Sequence, residues 1–251
     1  MLEQAIKTVQ RSLREYISLD EREKTLIYTK LLSHLVNSWV EVRLMKLVYE
    51  CGAFSDIDRT KIIRCKELER KWTTALNIAF CRAFAISSPK NINMPTVPFT
   101  AQNQYGALLG IIKTDLLDSS SIRNRIAHGQ WKYAFTENMM GINGGLTSKL
   151  GKENILMIQF RLAMFKSLAQ IIHDLAVSKP TFQRDFDANY KRIEEQRRNA
   201  ENTDYNKYKG KMIQKKKKGI RRKKAHFSYL RRRVTKTGWF VDSNTNNAAM
   251  S

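Results

Sequence analysis

The chain reads as an all-α protein: an antiparallel helical bundle with one small β-hairpin and a basic C-terminal extension. Three observations predict this. Apolar residues recur at spacings of three and four through most of the first 178 residues, the pattern of helices that each bury one face. Trp131–Phe135 is the one stretch that alternates in the manner of a strand. The cations crowd at the far end. There are 45 Lys and Arg against 23 Asp and Glu, for a net charge of +22. Fifteen of these cations, with no acidic residue among them, lie between Lys207 and Lys236, so the rest of the chain carries only the remaining +7. Such a surplus points to a polyanionic partner, nucleic acid ahead of anionic lipid.

The elements follow in order. Leu2, Ala5, Ile6, Val9, Leu13 and Tyr16 mark a first helix over 2–17. Ser18-Leu19-Asp20-Glu21 has the form of a capping box that opens a second helix. That helix runs to Cys51, ends at Gly52 and offers Leu26, Leu31, Leu35, Trp39, Leu44, Leu47 and Val48 for burial. Ser55, with Asp56 and Asp58 in the first turn, caps a third helix that keeps period from Ile62 through Trp72 and Phe80 to Ile86. Pro89, Pro95 and Pro98 make 87–100 a long connection. A fourth helix runs from Ala101 to Leu117, and Asp118-Ser119-Ser120-Ser121 interrupts it, because these residues prefer caps to helix interiors. Ile122–Ala127 then forms its own segment, ended by Gly129.

Beyond it, Trp131–Phe135, a turn at Gly141, Gly144 and Gly145, and a second short strand near Leu146 make the hairpin. A helix over 153–177 closes the first domain, 1–178. Pro180 marks a boundary, and 179–202 is a charged helix or linker whose Phe182, Phe186, Tyr190 and Ile193 stripe docks on the domain or pairs with a partner. Residues 203–251 form a tail without apolar periodicity, expected to be disordered until bound.

Cys51, Cys65 and Cys81 are odd in number and widely spaced, which fits buried thiols in a reducing cytosol. No histidine pair has metal-ligand spacing, so neither metal nor cofactor is expected. No apolar run reaches the roughly 18 residues of a membrane span, and Met1–Lys7 lacks a signal-peptide core. The expectation is a cytoplasmic protein with no membrane partner.

The chemistry gathers in Arg123-Asn124-Arg125-Ile126-Ala127-His128, directly before Gly129. A guanidinium suits charge developing on phosphoryl oxygens. Histidine titrates near neutral pH and serves as acid or base. Arg123 and His128 are five positions apart, about 140° around a helix, so one copy does not surround a phosphate by itself. Arg125 points elsewhere and reads as an RNA contact or a surface arginine. Glu41 pairs with Arg43 or Arg123, or assists catalysis. Trp131 stacks a base or staples the hairpin, and both readings stay open. In the tail, Lys215, Lys216, Lys217, Lys218, Arg221, Arg222, Lys223, Lys224, Arg231, Arg232 and Arg233 read as RNA-binding. Interleaved Tyr205, Tyr208, Phe227, Tyr229, Trp239 and Phe240 can stack unpaired bases.

Arg123, Asn124 and His128 resemble the signature of the HEPN superfamily, whose ribonucleases carry an arginine, a polar residue after it, and a histidine four to six residues on. Leu35–Leu44 through Phe54, then Glu69-Arg70-Lys71-Trp72, then the motif with Gly129-Gln130-Trp131, is similar to a plasmid- and defence-associated HEPN subgroup. The resemblance covers roughly residues 20–178. It implies a HEPN-type bundle and a metal-independent endoribonuclease, active as a homodimer whose half-sites meet in a shared cleft. It also implies roles: Arg123 neutralises the scissile phosphate, Asn124 orients it, and His128 exchanges protons with the ribose 2′-hydroxyl or the leaving oxygen. Dependence on the 2′-hydroxyl selects RNA. A toxin or antiphage-defence effector is the implied setting, with an antitoxin or defence-complex protein as a candidate partner. Toxins of the superfamily paired with a nucleotidyltransferase antitoxin carry a tyrosine where Gln130 stands, which argues against that regulator. Two alternatives stand beside this: a non-catalytic RNA- or ribonucleoprotein-binding module, and a helical adaptor recruiting a protein through Phe182–Ile193.

Overall fold

A computed structural model describes the backbone over residues 1–95 and 97–237, with side-chain surroundings as far as residue 230. The all-α expectation holds. The described α-helices are α1 (Leu2–Leu19), α2 (Arg22–Val48), α3 (Asp56–Arg64), α4 (Leu68–Ala83), α5 (Phe99–Ile111), α6 (Leu117–Ala127), α7 (Gly144–Lys152), α8 (Ile155–Val177), α9 (Lys179–Asn202) and α10 (Tyr205–Thr237).

Helix α2 is the axis of the bundle, packed against α1, α4, α6 and α8. Leu32, Val36, Val40, Leu44 and Leu47 are buried along it. Helix α1 returns antiparallel: Tyr16 meets Tyr28 near one end, and Glu3 accepts from the Trp39 indole at 3.1 Å near the other. The expected capping box does not form. Ser18 is still helical and donates to the Glu15 carbonyl, and the chain reverses at Asp20, whose left-handed backbone (φ 58°) an aspartate tolerates. Ser55 does cap α3, accepting from the Asp58 amide.

The single helix expected from Asp56 to Ile86 is broken at Cys65, which is extended. On one straight helix Ile62 and Trp72 would lie about 80° apart; the break lets α3 and α4 each turn an apolar face inward. The connection after α4 holds a short 3-10 turn, Pro89–Asn91, and buries Ile92 and Val97.

Two local expectations fail around the motif. The helix does not stop at Asp118–Ser121, and α5 continues into α6 through a π-helical turn, Ile112–Leu116. The serines stay helical because Ser119 finds a buried partner on α2 and Asp118 pairs with Lys149 at 2.6 Å. Nor does the β-hairpin form. Among the described residues there is one antiparallel bridge, Phe135 to Ile142, and Leu146 lies in α7, capped by Asn143. The amide of Ala134 is taken by the Thr147 hydroxyl rather than by a strand partner.

Helix α8 is long and apolar enough to cross a membrane by length and composition. Here its Phe165, Leu168, Ile172 and Leu175 belong to the core. Pro180 starts a helix instead of ending a domain: it sits in the first turn of α9 behind the Ser178 cap, where a missing N–H costs nothing. Phe182, Phe186 and Ile193 are buried in the same core as α8, so the bundle extends past residue 178 and the stripe is spent internally. None of the three cysteines is buried, contrary to expectation; Cys51 is exposed, and all are unpaired thiols.

The tail differs most. Instead of a disordered segment from residue 203, α10 runs 33 residues, about 50 Å, to Thr237. Tyr205, Tyr208 and Met212 anchor its start on the core, and lysine and arginine are good helix formers beyond. Lys209 pairs with Asp20 at 2.6 Å and Lys216 with Glu15 at 3.8 Å on α1. From Lys217 to residue 230 every side chain is exposed. Trp239 and Phe240 lie outside the described residues.

Candidate active site

The motif occupies the C-terminal end of α6, and the local sequence explains how that end is closed. The Gly129 amide donates to Ile126 and the Gln130 amide to Arg125, a Schellman closure whose left-handed position is Gly129 (φ 74°). His128 is therefore the last residue before the reversal. It is exposed and makes no side-chain hydrogen bond among the described residues. Trp131 donates its indole N–H to the Ile126 carbonyl at 3.0 Å, so it staples the loop to the helix end. Gln130 is buried, and its Oε1 accepts from the Phe135 amide at 2.9 Å. Arg125 reaches the same oxygen only at 3.5 Å and is half-buried against the loop root.

Arg123 is held from two sides. Its Nη2 donates to Glu41 Oε2 at 2.9 Å and its Nη1 to Asn124 Oδ1 at 3.2 Å. Of the alternatives open for Glu41, the structure takes the Arg123 pair. Both side chains are about a third to two-fifths exposed (33 and 42 %). At that exposure an ion pair contributes about 0–1 kcal/mol, so its consequence is orientation more than stability. A guanidinium has five N–H groups, and two are engaged here, which leaves donors for an anion.

One turn below lies a second rung. The Ser119 hydroxyl donates to Asn37 Oδ1 at 2.8 Å, and both residues are buried. Asn37–Ser119 and Glu41–Arg123 are each separated by 82 residues, so α2 and α6 run parallel and in register, with one polar contact per turn. The ladder continues downward. Asn37 donates to the Ser33 carbonyl, the Ser33 hydroxyl donates to Glu153 at 2.7 Å, and Arg161 grips Glu153 with two bonds of 2.7 and 3.0 Å. Lys30, also buried, donates to the Leu150 carbonyl at the end of α7, and burial pushes its ammonium below the usual lysine range.

Asn37, Ser119 and Gln130 escape a reading along the chain. The one available signal is spacing: Asn37 precedes Glu41 by four residues, as Ser119 precedes Arg123. Asn124 is exposed beside Arg123. The tail cations are not brought to this site. Lys215, Lys217, Lys218, Arg221, Arg222, Lys223 and Lys224 are exposed on α10, which packs on α1, while Lys216 is drawn to Glu15. The side chains of Arg231, Arg232 and Arg233 lie outside the described residues. No cluster of three or more His, Cys, Asp or Glu side chains is placed to hold a metal ion among the described residues.

Comparison with known protein families, with characterised proteins and with solved structures finds no match to the chain. The geometry stands by itself.

Proposed function

We propose that the chain is a HEPN-type, metal-independent endoribonuclease that cleaves RNA through its own 2′-hydroxyl, with two copies joining their half-sites. The observation that carries this is the helix end itself: an arginine fixed by Glu41 and Asn124, followed after four residues by an exposed histidine. Arg123 takes the scissile phosphate on its free N–H groups and offsets the charge that grows on its oxygens. His128 of one copy removes the 2′-hydroxyl proton; the 2′-oxygen attacks phosphorus, the 5′-oxygen leaves, and a second imidazole protonates it. Each chain supplies one such imidazole at this helix end. The exposed cations of α10 give affinity for the phosphate backbone and its exposed aromatics, Phe227 and Tyr229, stack bases. A cytoplasmic toxin or antiphage effector is the setting this activity suits.

The test is cleavage of RNA in chelator. The wild-type chain cuts, and Arg123→Ala and His128→Ala do not, while both keep their fold and RNA affinity; undiminished cleavage by both variants removes the assignment. One observation favours a second reading, a non-catalytic RNA- or ribonucleoprotein-binding module: α10, which bears the free cations, packs on α1, whereas α6, which bears the motif, packs on α2, α4 and α7. Under that reading the wild-type chain binds RNA without turnover.

A further inference from the structure

The loop that leaves the motif is unusually apolar for its place. Tyr133, Phe135, Met139, Met140 and Ile142 are 57, 36, 64, 86 and 58 % exposed, five large apolar side chains within ten residues. Their positions are held. Phe135 is tied to Gln130 and bridged to Ile142, and the Thr136 amide donates to the Gly141 carbonyl at 2.8 Å. Met139 closes the tip with a left-handed backbone (φ 60°), which side-chain-bearing residues seldom adopt. A loop locked with its apolar side chains outward marks an interaction surface.

Charge identifies the occupant. Residues 133–147 contain a single charged side chain, Glu137, in a chain of net charge +22. An RNA contact would be expected to carry cations, as α10 does. Two copies of so basic a chain approach each other most easily where cations are missing. Methionine and aromatic residues around a charge-poor centre also match the composition of protein–protein contacts. Exposed Lys132 borders this face and exposed Glu137 lies within it, and a two-fold axis pairs such opposite charges reciprocally. The loop is rooted on Gln130 and Trp131, two and three residues after His128.

We infer that the Tyr133–Ile142 loop is the docking surface for a second copy of this chain, and that this contact sets the second His128 opposite the first. The inference rests on the ribonuclease reading, because the site is incomplete without the second copy. Docking is isologous: the loop of each copy covers apolar surface of the other beside its motif, and RNA enters between the two helix ends.

Met140→Glu and Ile142→Glu, made separately in the full chain, test it by sedimentation velocity, RNA cleavage in chelator and RNA binding. Both side chains face solvent, so thermal unfolding should stay close to wild type. The expected result is a wild-type dimer and variants of monomer mass. The variants bind RNA as wild type does but cleave at least 100-fold more slowly at low micromolar protein, and regain rate as concentration rises. A monomeric wild-type chain that cleaves, or variants that remain dimeric at full activity, overturns the inference. So does a dimer that persists while RNA affinity falls, which would make the loop an RNA contact. The ribonuclease reading fails on a different result, undiminished cleavage by Arg123→Ala and His128→Ala.

Discussion

The end of α6 and the free half of α10 are both rich in cations, yet they are built in opposite ways. At the α6 end Arg123 has two side-chain partners, and the turn rests on a small separate core of Ile122, Ile126, Ala134 and Leu150. Along α10 beyond Lys217, the described cations have no counter-charge and no core beneath them. A charge held by a partner has a direction, which a phosphoryl transition state requires. A charge free in solvent has only a sign, which suffices to attract a polyanion. The two regions are thus suited to chemistry and to affinity respectively, and substitutions should separate them.

The largest separation is expected at the motif. His128→Ala should slow cleavage by about 10²–10⁴-fold, the usual worth of a positioned acid–base group, with Arg123→Ala comparable. RNA affinity, measured by anisotropy, should stay within a few-fold of wild type. A parallel fall in affinity would mean that the helix end is merely part of the RNA-binding surface.

The converse experiment neutralises Lys217, Arg221 and Lys224 together as glutamines. If each meets a phosphate of single-stranded RNA, the slope of log affinity against log salt should shrink by roughly 2, because each contact contributes about 0.7. At 0.1 M salt this amounts to about 100-fold weaker binding, whereas turnover at saturating RNA should hold. A salt slope equal to that of wild type would remove α10 from the interface.

How far each region can be read along the chain follows from the same contrast. Arg123, Asn124 and His128 are neighbours in sequence, and so are the cations of α10, so both groups are visible without a structure. The apolar period of α1, α2 and α8 and the Ser55 cap are equally local. What is hidden is whatever needs two elements in register. Asn37 and Ser119 gain meaning only because α2 and α6 run parallel across 82 residues of separation. The serines before the motif look like a helix break for the same reason, since their partners lie elsewhere. Trp131–Phe135 alternates like a strand, but alternation supplies no partner strand, and the amides of Trp131, Ala134 and Phe135 are taken by the Gly129 carbonyl, the Thr147 hydroxyl and the Gln130 side chain. The order of α10 is masked by its charge, since its apolar anchors are confined to its first turns.

The ladder beneath Arg123 predicts a smaller effect that sharpens the contrast. Ser119→Ala leaves Asn37 Oδ1 buried without its donor, which should cost about 1–3 kcal/mol in urea unfolding. Cleavage should fall less than in Arg123→Ala, and Ser119→Thr, which keeps the hydroxyl, should recover most of both losses. Equal stability of Ser119→Ala and wild type would show that the second rung is not needed to seat α6 on α2.

The smallest effect concerns the docked start of α10. The hydrogen bond and charge of Lys209 hold the Asp20 carboxyl below the usual aspartate range. A carboxyl depressed in the folded state contributes its stabilisation in full above its unfolded pKa and loses it as pH falls through the lower, folded value. At neutral pH the contact is therefore complete, and acidification should loosen the Tyr205–Met212 turns only below the ordinary carboxylate range. The pair is solvent-exposed and screened by salt, so the shift is small beside the burial of Tyr205, Tyr208 and Met212. Hydrogen exchange of those turns against pH should show the dependence in the wild type and its loss in Asp20→Asn. Identical profiles would mean that the Lys209–Asp20 pair adds nothing to the apolar anchors in docking the start of α10.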